Sequence, residues 1–396
     1  MRAQTRPGAV EETGAGRQRS GTAAVRPPVR DLSPAGVRDL QRTAGNDAVA
    51  RTVQRHRDSA TTVQRVPTAD PEIQPIVDAV REMLGTARSL IATARGIGFR
   101  LRSRENQQKH CDHLGTTLDT AEHMIYGQFR ADGPAGRTTN PRTTALKALL
   151  DEIQERHIEY VGILRRFKLR PVGADIGPED TKGLAQLSNT WSQVVGGQGI
   201  KTSPTPRAFG EDRTPGALPG FEDQMLSHHA RLLSRERGRN LVGSLTAGGE
   251  AAGAGAGAAT VNVLPYHPEQ VPFMGGNTEV GAEAAVDRPE DGLASAHDAP
   301  GTGSTSLVAV PHNLRDSEGA RENEAVSPAF LVYGHELIHA QHTMHGINVR
   351  NIGDEEEATV TGNETSAALH RQRQVPVTTE EMLRDEHGLP RRGGYT

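Results

Sequence analysis

Residues 327–346 read SPAFLVYGHELIHAQHTMHG, and the C-terminal part of the chain is organised around them. Serine followed by proline is a common start of an α-helix, because serine caps the first turn and proline tolerates the first helical position. Glycine favours the left-handed conformation in which many helices end. The stretch therefore predicts a helix over residues 330–344 that Gly346 closes.

Within this helix, His335, Glu336 and His339 form the pattern H-E-x-x-H. Residues four apart lie on one helix face, about 6 Å from each other, so both imidazoles can bind one zinc ion. Glu336 points about 100° away from His335, so it lies beside the metal, where its carboxylate can accept a proton from water. Chance alone gives the pattern in roughly 4% of chains of this composition, so further residues must support it.

A zinc site of this type needs a third protein ligand, and three candidates follow the two histidines. His345 has the spacing of the metzincin ligand, but His342 stands where those enzymes need glycine, and a continuous helix carries His345 about 15 Å along its axis. His342 lies on the correct face, about 10 Å from His335, which indicates a supporting or an exposed position. The third candidate is the acidic run at residues 355–357, which a following helix can bring to the metal.

Several segments resemble known zinc peptidases. Residues 335–347, HELIHAQHTMHGI, are similar to the zinc helix of clostridial neurotoxin light chains, and residues 355–362, EEEATVTG, resemble their E-E-x-x-T-x-x-G segment. The same two motifs, with a C-terminal run similar to residues 380–395, mark the NleD-like family of bacterial effector metallopeptidases. The resemblance covers about residues 220–396. It implies a zincin-like domain in which a small sheet accompanies the H-E-x-x-H helix.

The resemblance assigns the metal ligands residue by residue. Zinc would be bound by His335, His339 and Glu356, and Glu336 would be the general base. Glu355 would contact a ligand residue without binding the metal itself. Because the spacing from His339 to Glu356 is shorter than in the neurotoxins, the choice between Glu355 and Glu356 stays open.

The resemblance also assigns three residues near the C-terminus. Glu380 would orient a zinc-binding histidine, since ligand histidines need a carboxylate on their other nitrogen. Arg392 and Tyr395 would stabilise the oxyanion of the tetrahedral intermediate, a task suited to cationic and phenolic donors. Arg391 competes with Arg392 for this role, and that choice stays open as well.

Residues 71–170 predict a helical bundle. Apolar residues recur at helical spacing along three segments, and each segment gives one apolar helix face. The faces contain Ile73, Val80, Ala87 and Ala94; Leu114, Leu118, Ala121, Ile125 and Phe129; and Leu146, Ile153, Val161 and Leu164. Three faces of this length are typical of helices that cover one another in a small bundle.

The remaining C-terminal half combines connectors with short strands. Residues 171–220 are rich in Gly, Pro and Thr and predict a flexible connector. Residues 221–396 predict the metallopeptidase domain, with β-strands at residues 261–263 and 307–310 and loops at residues 248–259 and 267–303. We expect the strand at residues 307–310 to lie at the sheet edge, where an extended peptide can pair with its main chain. The fold class is therefore α+β.

The N-terminal part of the chain predicts a delivery segment. Residues 1–30 combine Gly, Pro, Thr and Arg with few apolar positions, which is typical of disorder. Ser33-Pro34 and Asn46 are start signals for two short helices. Residues 40–49, LQRTAGNDAV, resemble a segment near the N-termini of cargo proteins of bacterial extracellular contractile injection systems. The resemblance implies that residues 1–66 load the protein into such a particle.

Composition excludes several classes of protein. The formal net charge of −4 gives no basic field along the whole chain, which argues against a nucleic-acid partner. No apolar run approaches the roughly 18 residues of a membrane-spanning helix, and no apolar segment marks a Sec signal. The one cysteine, Cys111, excludes an internal disulfide. We expect no membrane partner, synthesis in the bacterial cytoplasm, and secretion or export to a target cell by an injection system.

Together these patterns predict a toxin or effector that acts as a zinc-dependent endopeptidase of the gluzincin type. Its partners would be a protein substrate in a target cell and the injection particle, and its cofactor would be Zn²⁺. Two alternatives stay open. One is a non-enzymatic docking or structural component of the particle, and the other is a zinc amidase that shares the ligands and differs in substrate.

Overall fold

The computed structural model describes residues 71–132, 141–205, 217–251, 259–266, 283–286, 294, 299–312, 314–316, 326–349 and 351–392. The predictions made for residues 1–66 and for Tyr395 lie outside these ranges. The described residues combine helices with a small sheet, as the α+β class predicts.

The helices of the bundle follow the apolar faces seen in the sequence. They are α1 (Gln74–Arg95), the short α2 (Ile97–Arg100), α3 (Arg104–Asp132) and α4 (Pro141–Phe167). The predicted apolar positions point inward, and Val80, Leu118 and Leu146 are fully buried. Helices α1, α3 and α4 pack against one another, so each covers an apolar face that none could bury alone.

The prediction of a flexible connector at residues 171–220 is wrong for its central part. This part forms α5 (Thr181–Val195) and strand β1 (Ile200–Thr202). The side chain of Asp180 caps α5 by accepting a hydrogen bond from the Gly183 amide, and the indole of Trp191 donates to the Leu169 carbonyl at 2.9 Å. The Gly, Pro and Thr residues of this region therefore surround two packed elements.

The described strands form a four-stranded sheet with the order β1-β2-β4-β3. Strands β2 (Val261–Tyr266) and β4 (Ser306–Pro311) confirm the two predicted β-type runs, and β3 (Glu283–Val286) lies within the predicted loop region. Strands β1, β2 and β4 are parallel, whereas β3 pairs antiparallel with β4. The prediction that residues 307–310 form the edge is therefore wrong, because β4 has a neighbour on both sides.

The other elements of the C-terminal half surround this sheet. They are α6 (Phe221–Leu233), α7 (Glu236–Ala251), α8 (Ala329–His345), α9 (Ile352–Val360), α10 (Glu364–Arg373) and α11 (Glu380–Glu386). Helix α7 continues into the predicted Gly/Ala loop at residues 248–259 and ends there at Ala251. Helix α8 differs from the predicted helix at residues 330–344 by one residue at each end. Gly346 closes it with φ 66°, in the left-handed conformation.

A buried guanidinium connects the bundle with the C-terminal half. Arg231 on α6 lies 2.8 Å from Asp316 and 3.0 Å from Glu122 of α3, and it donates to the Tyr126 hydroxyl at 2.9 Å. Its other face covers the ring of Phe330, 4.1 Å from the ring centroid. Asp316 in turn accepts a hydrogen bond from the Ala329 amide at 2.8 Å. The first turn of α8 is therefore fixed through a charge network that includes the bundle.

Within the described ranges, no helix combines the length and the apolar character that crossing a membrane requires.

The end of α8 gives a stability prediction. A Cβ on Gly346 would collide with the main chain of Gly301, and its φ of 66° disfavours any L-residue with a side chain. We expect Gly346→Ala to lower the free energy of unfolding by more than about 1 kcal/mol. Thermal and denaturant unfolding measure the change.

The matched control is Gly127→Ala on the exposed side of α3, where nothing lies within 4 Å of the added Cβ. This exchange should raise the free energy of unfolding by up to about 1 kcal/mol, because alanine favours a helix interior. Equal effects of the two exchanges would contradict the role of Gly346 as the closing residue.

Candidate metal centre

His335 and His339 converge on Glu356 across the contact of α8 with α9. The Nε2 atoms of the two imidazoles are 3.1 Å apart. One carboxylate oxygen of Glu356 lies 3.2 Å from His339 Nε2, and the other lies 3.5 Å from His335 Nε2. Within the described residues, this trio is the group of His, Cys, Asp and Glu side chains with the spacing of a metal site.

The three side chains fit a tetrahedral zinc ion. Zinc lies about 2.0–2.1 Å from its nitrogen and oxygen ligands, so neighbouring ligand atoms are about 3.3 Å apart. The Nε2 atoms are 3.1 Å apart and one Glu356 oxygen lies 3.2 Å from His339 Nε2, and both distances are close to this edge length. The other Glu356 oxygen lies 3.5 Å from His335 Nε2. One oxygen of Glu356 is buried without a hydrogen-bond partner among the described residues. A cation between the three groups would satisfy that oxygen and both Nε2 atoms.

Two carboxylates fix the orientation of the imidazoles by contacting the Nδ1 atoms, which face away from Glu356. Nδ1 of His335 donates to Glu380 at 2.8 Å, and Nδ1 of His339 donates to Glu355 at 3.2 Å. Because Nδ1 donates to a carboxylate in each ring, Nε2 is the nitrogen that faces the other imidazole and Glu356. Loss of the Nε2 proton, which metal binding requires, would therefore give both histidines the tautomer of a metal ligand.

The neighbours of the acidic run separate Glu355 from Glu356. Glu355 accepts hydrogen bonds from His342 Nδ1 at 2.6 Å and from the Val349 amide at 2.7 Å, in addition to the contact with His339. Both of its oxygens are therefore engaged away from the Nε2 atoms. Glu356 faces these atoms, so the geometry favours Glu356 as the ligand and gives Glu355 a supporting position.

Two arginines hold the carboxylate of Glu380. Arg384 Nε donates to one oxygen at 2.7 Å, and Arg392 Nη1 donates to the other at 3.2 Å. Arg391 instead pairs with Asp385 at 2.7 Å, and its side chain is 71% exposed. Of the two candidate arginines, the structure therefore brings Arg392 next to the group that contacts His335.

The electrostatics of the centre favour positive charge between the carboxylates. Burial alone lowers the pKa of a histidine, but hydrogen bonds with Glu356 and Glu380 raise that of His335 to about 9. The pKa of His339 is raised to about 10, because hydrogen bonds with Glu355 and Glu356 likewise outweigh burial. Burial would raise the pKa of Glu355, yet the charge of His342 and its hydrogen bonds lower it to about 2. The carboxylates are therefore ionised and attract a cation.

Glu336 lies beside this centre. It follows His335 on α8 and is buried, and its charge contributes to the raised pKa of both His335 and His339. A carboxylate in this position can accept a proton from a water molecule at the metal.

The remaining candidates lie apart from the trio. His345 is buried near the end of α8, and burial lowers its pKa to about 4. His342 is also buried and acts on the centre through Glu355. Its ring contacts that of His370, with centroids 5.2 Å apart.

Sequence reasoning did not identify Arg384, Thr359 or Asp316 as parts of the site. The four-residue spacing of Glu380 and Arg384 on a helix was a usable signal for an ion pair. Thr359 lies 3.2 Å from His339 Nδ1 and is the threonine of the E-E-x-x-T motif. No local pattern indicates Asp316, because its partner Arg231 is 85 residues away.

Comparison with known proteins gives one finding for this region. Residues 214–395 match the family model Peptidase_M91, described as "Effector protein". Neither the curated proteins nor the solved structures include a match to the chain. The matched residues include α6 to α11 and the candidate metal centre.

The ligand set gives a prediction for metal binding. We expect Glu356→Ala to weaken zinc binding by more than about 100-fold, and Glu355→Ala by about 10–100-fold, because supporting groups contribute less than ligands. Zinc titration of the metal-free protein against a competing chelator measures both changes.

The matched control is Glu357→Ala, since Glu357 follows directly on the same helix and is exposed. Zinc affinity should stay within about twofold of the parent, because exposed groups away from the ligands contribute little. The reverse order, with Glu355→Ala more damaging than Glu356→Ala, would identify Glu355 as the ligand.

Proposed function

Residues 214–395 belong to the NleD-like family of effector peptidases, and we propose that the protein is a zinc-dependent endopeptidase that cleaves a protein of a target cell. The observation that carries the proposal is the convergence of His335, His339 and Glu356, with a carboxylate behind each imidazole. A zinc ion fits their separations. This ligand set corresponds to a zincin-like domain of the gluzincin type.

Zinc, when bound, supplies a Lewis acid for the scissile carbonyl and lowers the pKa of water. Glu336 then accepts the proton of the attacking water on its carboxylate and transfers it to the leaving amine nitrogen. Glu380 and Glu355 keep the imidazoles of His335 and His339 oriented throughout.

Arg392 and Tyr395 complete the proposed chemistry. A guanidinium and a phenol are suited to donate hydrogen bonds to the oxyanion that develops on the carbonyl oxygen. The contact between Arg392 and Glu380 supports this role for Arg392, because it anchors the guanidinium beside the His335 side of the centre. For Tyr395 the support is its three-residue spacing from Arg392.

The substrate would bind as an extended chain along β3. Among the described strands, β3 pairs with β4 alone and packs against α8. Its second edge is therefore suited to main-chain hydrogen bonds with a peptide. This assignment replaces β4, which is enclosed between β2 and β3.

We further propose export by a contractile injection system, with residues 1–66 as the loading segment. The support is the resemblance of residues 40–49 to cargo leaders and the effector description of the matched family.

Replacement of the general base tests the function. We expect Glu336→Gln to reduce cleavage by about 10²–10⁴-fold, because the amide cannot accept the proton, while zinc content stays unchanged. The readout is proteomics of new protein N-termini in target cells exposed to the parent or to the variant, together with metal analysis of both proteins.

Glu357→Gln is the control, since it makes the same chemical change at an exposed carboxylate. The N-termini that depend on the parent should persist with Glu357→Gln and disappear with Glu336→Gln. If zinc is bound and no N-terminus differs between the parent and Glu336→Gln, the endopeptidase proposal is wrong and a docking or amidase role is favoured.

The two neighbouring arginines give a second test of the chemistry. We expect Arg392→Ala to lower kcat by about 10²–10³-fold, as loss of an oxyanion donor does. Arg391→Ala should stay within about twofold, because the exposed pair with Asp385 contributes little. Steady-state kinetics on a cleaved peptide separate the two, and an inversion of their effects would assign the role to Arg391.

A further inference from the structure

One end of the helical bundle exposes apolar side chains that a protein core would normally cover. Ile97 is 82% exposed, Leu101 is 83% exposed and Val195 is 43% exposed, and these are the strongly exposed large hydrophobic residues of the described ranges. Leu101 lies three residues before Arg104. Arg104 and Val195 line one groove of about 720 Å³. Ile97 and Leu101 therefore lie in one exposed stretch, and Val195 lines a groove together with Arg104 of the following helix.

The same region carries a concentration of positive charge. Residues 95–104 read RGIGFRLRSR and residues 165–170 read RRFKLR, which gives four cations and no acid in each segment. The segments are adjacent, because the rings of Phe99 and Phe167 are 4.9 Å apart and Arg104 donates to the Lys168 carbonyl at 2.6 Å. We call these two segments the basic tip. Its charge contrasts with the net charge of −4 of the whole chain.

Neighbouring acids neutralise only part of this charge. Arg95 pairs with Glu159 at 2.8 Å, and Arg170 pairs with Asp112 at 3.1 Å. Arg165 pairs with Asp223. Within the described part of the chain, no carboxylate pairs with four further cations of the basic tip, which are Arg100, Arg102, Arg166 and Lys168. The basic tip therefore keeps a net positive charge.

The packing of Phe99 keeps the neighbouring side chains of Ile97 and Leu101 exposed to solvent. Phe99 is buried, and its ring packs edge-on against those of His110 and Phe167. Because Phe99 anchors α2 from the inside, Ile97 and Leu101 on either side of it project into solvent. They protrude from the end of the bundle, and Arg100 and Arg102 flank Leu101 in the sequence.

We propose that the basic tip binds the surface of a membrane that contains anionic lipids. Ile97 and Leu101 would enter the boundary between headgroups and acyl chains, and the arginines and Lys168 would contact lipid phosphates. Apolar side chains surrounded by cations are the combination that such surfaces bind, because the two contributions add. The contact is peripheral and needs no membrane-spanning helix.

Charge and shape favour a membrane surface over two other occupants of the basic tip, which are the N-terminal part of this chain and an acidic protein. Residues 1–70 carry 12 Arg against 7 acids, so the N-terminal part of the chain has the same sign as the basic tip. An acidic protein would complement the charge. However, it would give Ile97 and Leu101 no apolar environment unless it also offered a pocket, whereas a bilayer accepts protruding side chains of any arrangement.

Cosedimentation of the full-length protein with vesicles tests the proposal. We expect binding to phosphatidylcholine vesicles that contain about 30% phosphatidylserine, and little binding to pure phosphatidylcholine. Binding should weaken as the salt concentration rises from about 0.1 M to about 0.5 M, since salt screens the headgroup charge.

Two variants separate the apolar and the charged contributions. Ile97→Ser/Leu101→Ser, which leaves the net charge unchanged, and Arg100→Glu/Arg102→Glu should each weaken vesicle binding by about tenfold or more. The matched control is Arg81→Glu/Lys182→Glu, which changes the net charge by as much as the arginine variant does. These exposed residues lie on α1 and α5, about 20 Å along each helix from its end at the basic tip. The control should bind anionic vesicles nearly as well as the parent.

Several outcomes would overturn the proposal. Absence of parent binding, equal binding to both kinds of vesicle, or parent-like binding by both tip variants would each exclude a lipid site. The basic tip would instead be assigned to an acidic protein if the parent binds poly-glutamate but not vesicles. In that case poly-glutamate binding should be lost in Arg100→Glu/Arg102→Glu and kept in Ile97→Ser/Leu101→Ser. Matching thermal unfolding of parent and variants shows that all of them are folded.

Discussion

The candidate centre depends on two hydrogen bonds, one donated by Nδ1 of His335 and one donated by Nδ1 of His339. Glu380 accepts the proton of His335 Nδ1, and Glu355 accepts that of His339 Nδ1. These bonds fix the ring planes and leave Nε2 as the nitrogen available to a metal, so both Nε2 atoms converge on the volume that Glu356 faces. Without them, each ring could rotate and the three ligand atoms would lose their common focus.

The supporting carboxylates are themselves held by buried or half-buried cations. Arg384 and Arg392 bind Glu380, and His342 binds Glu355. Paired in this way, the carboxylates stay ionised in spite of their burial. A dense ion network thus adds to the apolar packing of this region, and it ties α8, α9 and α11 to one another.

A second buried ion network extends this dependence to the bundle. Arg231 contacts Glu122 of α3 and Asp316, and Asp316 binds the first turn of the helix that carries His335. Removing one partner of such a network leaves a buried charge uncompensated, which is strongly destabilising. The bundle lies before the residues that match the family model, yet it contributes to the position of α8.

The sequence predicted those features that depend on local spacing. Gly346 ended the helix as predicted, and the four-residue spacing of His335 and His339 put both imidazoles on one face. The serine cap was wrong, because Pro328 occupies the N-cap position and the Ser327 hydroxyl accepts a hydrogen bond from Arg384 instead. The motif at residues 355–362 pointed to the acidic run, and the structure brings Glu356 of this run to both imidazoles.

Features that depend on distant parts of the chain were not accessible in this way. The neighbour that makes β4 an inner strand comes from residues 283–286, in a region whose composition resembles a loop. The partners Arg231 and Asp316 are 85 residues apart, so no periodicity relates them. The connector prediction at residues 171–220 failed for a similar reason, because α5 is stabilised by contacts with α6 and α7 more than by its own composition.

X-ray absorption at the zinc edge on the purified full-length protein tests whether His335, His339 and Glu356 bind zinc. We expect one zinc per chain, with two imidazole nitrogens and a carboxylate oxygen at about 2.0–2.2 Å. Absence of zinc, a sulfur ligand, or a spectrum that stays unchanged in His335→Ala would contradict it.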